Sequence, residues 1–198
     1  MTVDTLAALF LFAIATLFTP GPNNAMLASS GANFGFARSI PHMLGVALGF
    51  AAMLFATGLG LGALFEAFPQ IAVILKYAGF VIMMWLAWKI SSAGKADRKE
   101  AGLRPFRFHE AVAFQTINPK GWSIAIAVSA QFADPQAPFL AAAACGGVYA
   151  IVGMVSATTW TGFGVGIRRF LNTDTRLISF NILMGLTVAG CAIWMLFE

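Results

Sequence analysis

The sequence predicts an all-α integral membrane protein, with six transmembrane helices as two inverted three-helix repeats and helices one and four broken by proline motifs. Three observations carry this expectation. The 198-residue chain is 59% hydrophobic and 10% charged, with a mean hydropathy of +0.81, where soluble domains carry roughly a quarter charged residues. Six apolar runs each reach the ~20 residues that cross ~30 Å of hydrocarbon as a helix. Glycine signatures of the first half return in the second half in the same order.

The runs are Thr5 to Ala37 (interrupted), Ile40 to Phe65, Ile71 to Ile90, Ala111 to Ala133, Pro138 to Val165 and Leu177 to Phe197. The chain starts Met1-Thr2-Val3-Asp4, without the basic region and small-residue cleavage site of a secretory leader, so the first segment is expected to stay in the mature protein. One membrane domain, 1–198, is expected: repeat 1 over about 1–90, a hydrophilic linker over about 91–110 containing Lys95-Ala96-Asp97-Arg98-Lys99-Glu100, and repeat 2 over about 111–198. Cys145 and Cys191 lie in apolar stretches, away from any partner at metal-ligand spacing, and read as packing thiols. No metal and no cofactor is expected.

Positive charge sorts by loop. Arg38 lies in the first connection, Lys89, Lys95, Arg98, Lys99, Arg104 and Arg107 in the third, and Arg168, Arg169 and Arg176 in the fifth; the second and fourth carry no Lys or Arg. The positive-inside rule then puts the odd loops in the cytoplasm and, with six spans, both termini outside. A re-entrant first span would instead leave the N-terminus inside. The net charge of +4 is thus a topology signal, and no nucleic acid partner is inferred; the surroundings are membrane lipid.

Thr57-Gly58-Leu59-Gly60-Leu61-Gly62 and Thr161-Gly162-Phe163-Gly164-Val165-Gly166 close the second and fifth runs, 104 residues apart. Gly45-Val46 matches Gly147-Val148, Gly79 matches Gly185, Trp88 matches Trp194, and Pro22 matches Pro119. Three spans per repeat is an odd number, so the second half enters from the opposite face, the inverted arrangement of many secondary transporters. The alternative is that glycines recur at helix ends for close packing. Gly45-x-x-x-Gly49 fits packing within one protomer or between two in a homo-oligomer.

The first break reads Thr19-Pro20-Gly21-Pro22-Asn23-Asn24. Two prolines remove two backbone donors and the freed carbonyls find no partner in lipid, so the motif must be buried in protein or line a wet cavity. Asn23 and Asn24 supply side-chain donors and acceptors, for capping a plain kink or for meeting a ligand. The second break reads Gln115-Thr116-Ile117-Asn118-Pro119-Lys120-Gly121-Trp122. Lys120 lies nine helical steps, ~14 Å, beyond Ala111, close to mid-bilayer, where a charge marks a pathway unless it snorkels. Lys76, nearer an edge, reads as snorkelling.

Every carboxylate lies at a span edge or in a loop, including Glu66, Glu110, Asp134 and Glu198. If a proton is carried, the titrating group is therefore Lys120, Glu110, His42 or the substrate. Serine-histidine-aspartate, zinc-protease and paired-carboxylate patterns are missing at depth, which disfavours an intramembrane enzyme. A channel or a scaffold is the other alternative.

At these residues the chain resembles the LysE/RhtB family of bacterial amino-acid exporters. Six spans in about 200 residues carry the resemblance, with Pro20-Gly21-Pro22-Asn23, Gly45, Leu86-Ala87-Trp88-Lys89 and Asn118-Pro119-Lys120. The resemblance implies inner-membrane export of amino acids or close derivatives, driven by the ion gradient and working by alternating access. The first break looks most like the branch associated with cysteine and O-acetylserine export, while the fourth-span motif departs from that branch. A zwitterion would then meet Pro20, Gly21, Pro22, Asn23, Asn24, Gln115, Asn118, Pro119 and Lys120. The half-helix N-termini and Lys120 would take its carboxylate, and freed carbonyls near Thr19 and Thr116 its ammonium.

Overall fold

The computed structural model describes residues 1–61, 67–93 and 104–197. The linker motif from Lys95 to Glu100, Gly62, Glu66 and Glu198 lie outside the described residues. The described residues form helices and connecting turns: α1 (Val3–Phe18), α2 (Pro22–Phe34), α3 (Phe36–Ala56) running into a π turn (Thr57–Leu61), α4 (Pro69–Ser91), α5 (Phe108–Gln115), α6 (Pro119–Phe132), α7 (Pro138–Ile167) and α8 (Asp174–Met195).

Local chemistry sets most of these ends. Thr2 caps α1 by accepting from the Thr5 amide at 3.2 Å. Proline stands at the first turn of α2, α4, α6 and α7, where its missing donor costs nothing. Thr173 caps α8, with Asp174 in the first turn to complement the helix dipole. Gly35, at φ +83°, ends α2 and starts α3 in a single residue. That turn falls inside the first apolar run, so α3 begins at Phe36 and not at Ile40; only glycine holds such a φ without strain.

Among the described residues, four helical stretches are long and apolar enough to cross a membrane: Phe36–Leu61, Val73–Ser91, Pro138–Ile167 and Asp174–Met195. The pair α1 and α2, bent by 62° at Thr19-Pro20-Gly21, makes a fifth when taken together. α5 and α6, with 8 and 14 residues, rise only ~12 and ~21 Å, so neither crosses by itself. Large apolar side chains such as Ile74, Trp85, Trp88, Leu183, Leu186 and Trp194 are exposed on α4 and α8, as suits a surface solvated by hydrocarbon.

α3 packs along α7, α4 along α8, α2 along α7 and α5 along α3. Missing Cβ atoms permit the tightest of these approaches. A Cβ on Gly31 would run into the Thr161 carbonyl, and one on Gly164 into the Ala28 carbonyl, so α2 and α7 touch backbone to backbone. Gly45 lies against the Phe108 carbonyl and Gly49 against Val112; this glycine pair therefore packs α3 on α5 within one chain. The glycines matched between the halves meet different surroundings. Gly79 abuts the Ile117 carbonyl and Gly185 the Ala87 carbonyl, whereas Gly147 faces open space. Thr57–Leu61 unwinds with Gly60 at φ +109°, while Thr161 and Gly164 stay buried within α7.

α2 is the most enclosed element, buried from Asn24 to Asn33. Its polar side chains are consequently paired. Asn33 donates to Asn181 Oδ1 at 2.7 Å and Asn181 donates back at 3.1 Å, with a further bond from Asn181 to the Ala93 carbonyl at 2.6 Å. Asn33 also donates to the Ser29 carbonyl at 2.8 Å, and Ser30 and Ser39 share a bond of 2.9 Å.

Candidate functional site

Each proline break frees carbonyls that a straight helix would have used, and most find partners inside the protein. At the first break, Asn24 Nδ2 donates to the Leu17 and Thr19 carbonyls, both at 2.8 Å. Ser156 of α7 adds a second bond to the Leu17 carbonyl at 2.9 Å. The Lys120 ammonium, from the other break, donates to the Thr19 carbonyl at 3.0 Å, Thr19 Oγ1 at 2.8 Å and the Pro20 carbonyl at 3.4 Å. At the second break the Thr116, Ile117 and Asn118 amides tighten onto Ala113, Phe114 and Gln115. Trp122 Nε1 donates to the Thr116 carbonyl at 2.9 Å.

The two breaks thus meet, through two contacts remote in sequence. Lys120 reaches Thr19, and Asn23 and Gln115 pair their amides, with Asn23 Nδ2 donating to Gln115 Oε1 at 2.9 Å and the return bond at 3.4 Å. Gln115 is anchored by its own donation to the Ala111 carbonyl at 2.8 Å. The placement has a steric condition at Gly21, where a Cβ would come within 3.1 Å of Lys120 Cδ and Nζ. Glycine leaves the ammonium its path to Thr19.

Gly21, Pro22, Asn23, Asn24, Asn118 and Lys120 line a cavity of about 330 Å³, open mouth included. Pro20 contributes its carbonyl to Lys120, and Pro119 opens α6. Asn118 Oδ1 is buried without a hydrogen-bond partner. An orphan acceptor of this kind costs ~1–3 kcal/mol and marks where a donor is wanted. The cavity therefore offers an unfilled acceptor on Asn118, a movable cation on Lys120 and the amide ends of α2 and α6.

The carbonyl of Thr19, expected to be free for a ligand, already holds Lys120 and Asn24, and that of Thr116 holds Trp122. An ammonium arriving at Thr19 must displace Lys120. Glu110 and His42 stand apart from the breaks. Glu110 is the third residue of α5, accepting from the Arg107 amide at 2.8 Å and paired with Arg104. The Arg104 guanidinium holds its carboxyl down at about 2, with the Arg107 amide helping. Glu110 is thus a charged helix cap throughout neutral pH. His42 is 2% exposed in α3, its ring 5.3 Å from that of Phe106 and both nitrogens without a hydrogen-bond partner.

Sequence reasoning missed Ser29, Asn33, Asn181 and Ser156, which carry the buried bonds of α2 and the first break. The available signal was an asparagine or serine within an apolar run, the same signal that singles out Lys120.

Comparison with known proteins finds relatives along nearly the whole chain. The family described as LysE type translocator matches residues 14–198. Proteins named cysteine/O-acetylserine efflux protein, from Escherichia coli strain K12 and Shigella sonnei among others, are 30% identical over 197 residues, covering 98% of this chain and 98% of theirs. No solved structure matches. The family's translocators and these efflux proteins are transporters and not enzymes. A chain with paired helix breaks around a polar cavity, matched over nearly its whole length, belongs to the LysE type translocator family.

Proposed function

We propose that the protein is a secondary transporter that exports amino acids or close derivatives across the bacterial inner membrane, with the cavity between the two helix breaks as its substrate site. The observation that carries this reading is the Lys120 ammonium seated on the Thr19 and Pro20 carbonyls. It occupies the place a substrate ammonium would take, so binding becomes an exchange. The incoming ammonium takes the Thr19 carbonyl and Asn118 Oδ1, and the released Lys120, with the amide ends of α2 and α6, receives the carboxylate. Asn23 and Gln115 keep the two breaks in register during the exchange.

On this reading α1 with α2, and α5 with α6, are the two broken spans of a six-span chain built as inverted repeats, with basic loops in the cytoplasm. The packing of α3 on α7 and of α4 on α8 supports it, as does the pairing of α1 with α7 beside that of α5 with α3. Alternating access is the exchange of these packings about the breaks, and the proton gradient is the proposed driving force. With Glu110 fixed as an anion, His42 and Lys120 are the chain's own candidates for carrying that proton. The relatives' names point to cysteine and O-acetylserine as first substrates to try.

The test is counterflow in proteoliposomes preloaded with each amino acid in turn, O-acetyl-L-serine and cysteine included. Accumulation of at least one radiolabelled member against its preloaded partner is the expected result. Liposomes that accumulate none of them would show a channel, a scaffold or another cargo.

A further inference from the structure

A second cavity, separate from the breaks, lies between α2, α3, α4 and the segment that leads into α5. It measures about 500 Å³ with its open mouth, and Ser29, Ser30, Asn33, His42, Lys89 and Arg104 supply its polar lining. Buried at its wall, the His42 imidazole has both nitrogens unpartnered. A neutral imidazole carries one donor and one acceptor, so a ligand with one of each completes it. Lys89 and Arg104 bring positive charge to the lining. Arg104 is engaged by Glu110, whereas Lys89 lies 4.8 Å over the Trp85 ring and has no carboxylate within ion-pair distance among the described residues. Met26, Leu86 and Phe106 make the remaining wall apolar.

We propose that this cavity is a second substrate station, at the face carrying the basic loops, where an amino acid is held by its carboxylate before it reaches the breaks. Lys89 faces the carboxylate, and His42 with Ser30 hydrogen bonds the amino group and polar side chain. The proposal rests on the export reading above, since an exporter must collect cargo on that face. It adds a site that the break geometry does not require. α2 forms a wall of both cavities, with Asn23 and Asn24 in one and Ser29, Ser30 and Asn33 in the other, so cargo in the station lies ~8–15 Å along α2 from the exchange site.

The test uses the full chain purified in detergent with Cys145 and Cys191 replaced by alanine, carrying Ser30→Cys or, as a second position on the same wall, Phe34→Cys. Modification by a sulfonatoethyl thiosulfonate is timed with and without O-acetyl-L-serine, and flux of that compound by the parent protein is measured in parallel. The expected result is modification slowed about tenfold at about ten times the dissociation constant, persisting when Lys120→Gln is added and weakened by Lys89→Met. Protection that disappears with Lys120→Gln would place the ligand at the breaks alone and overturn the proposal. So would flux without protection at either position, or failure of the reagent to reach either thiol. Absence of flux in the parent would overturn the export of this compound, and the station with it.

Discussion

Replacing Lys120 by methionine keeps the stem and removes the ammonium. Three acceptors are then left: the Thr19 carbonyl at 3.0 Å, Thr19 Oγ1 at 2.8 Å and the Pro20 carbonyl at 3.4 Å. Hydrogen bonds from a charged donor contribute ~1.5–3 kcal/mol each in water-soluble proteins, whereas side-chain bonds between membrane helices average ~0.6 kcal/mol. Lys120 is only partly buried and Asn24 still serves the Thr19 carbonyl, so the two short bonds together are worth about 1–3 kcal/mol. Transport falls for a different reason, the loss of the released ammonium's bond to the substrate carboxylate; at about 1–3 kcal/mol this corresponds to a fall of about 5- to 150-fold in initial transport rate. Stability is read by unfolding in detergent and rate by flux in proteoliposomes. Thr19→Val provides the control: it removes Oγ1 and leaves the backbone acceptor, so after Lys120→Met it should cost less than in the parent, with a coupling of about 0.5–1.5 kcal/mol. A methionine variant with parental flux and stability, or strict additivity with Thr19→Val, would refute the seat of Lys120 on the first break.

Alanine at Gly164 forces α2 and α7 apart and should destabilise by about 1–3 kcal/mol, while alanine at Gly162, which has open space around it, should be neutral or mildly stabilising; thermal unfolding in one detergent separates them. Gly21→Ala pushes on the end of a flexible side chain, so stability should hold while transport falls, by less than for Lys120→Met. Asn181→Leu removes the amide pairing with Asn33 and strands the Ala93 carbonyl, and should cost about 0.6–2 kcal/mol in the same assay. Glu110→Gln loosens the start of α5. Because the Glu110 carboxyl is held below its ordinary value of 4.5, at about 2, its contribution is full above pH 4.5 and disappears as pH falls toward 2. The pair is largely exposed, so the difference from the parent should reach only ~0.2–1 kcal/mol at neutral pH and vanish in acid; a difference that grows on acidification would contradict the cap.

The breaks were legible because proline chemistry is local: a missing donor and a steric clash announce themselves wherever they stand. The partners of the freed carbonyls were not, since Lys120 lies 101 residues from Thr19 and Gln115 lies 92 from Asn23. Charge cost singled out Lys120 correctly as a residue needing company, yet pointed to a substrate carboxylate where the chain's own carbonyls come first. Gly35 hid inside an apolar run, because a one-residue turn leaves no polar interruption for hydropathy to find. His42 entered only as one candidate for carrying a proton; its unpartnered nitrogens depend on which helices close around it, and no spacing in the sequence encodes that. Glycine matching found close contacts at Gly79 and Gly185, whereas Gly147 has open space where its match Gly45 is tightly packed, because glycine in an apolar helix serves packing wherever two backbones cross.

α2 is a 13-residue rod between Gly21 and Gly35, with cavities along its length and little of its surface at the outside of the molecule. At 1.5 Å per residue it is ~20 Å long, so tilting it by ~10° about Gly35 swings the Pro22 end through ~3.5 Å. That stroke is comparable to one hydrogen-bond length and would lift the Thr19 carbonyl off the Lys120 ammonium. The residue at its fulcrum has no side chain to resist the turn, while the amide pair of Asn33 and Asn181 sits close to it, where the arm moves least. On the proposed export reading, a small rotation about that one glycine would make or break the contact between the two helix breaks.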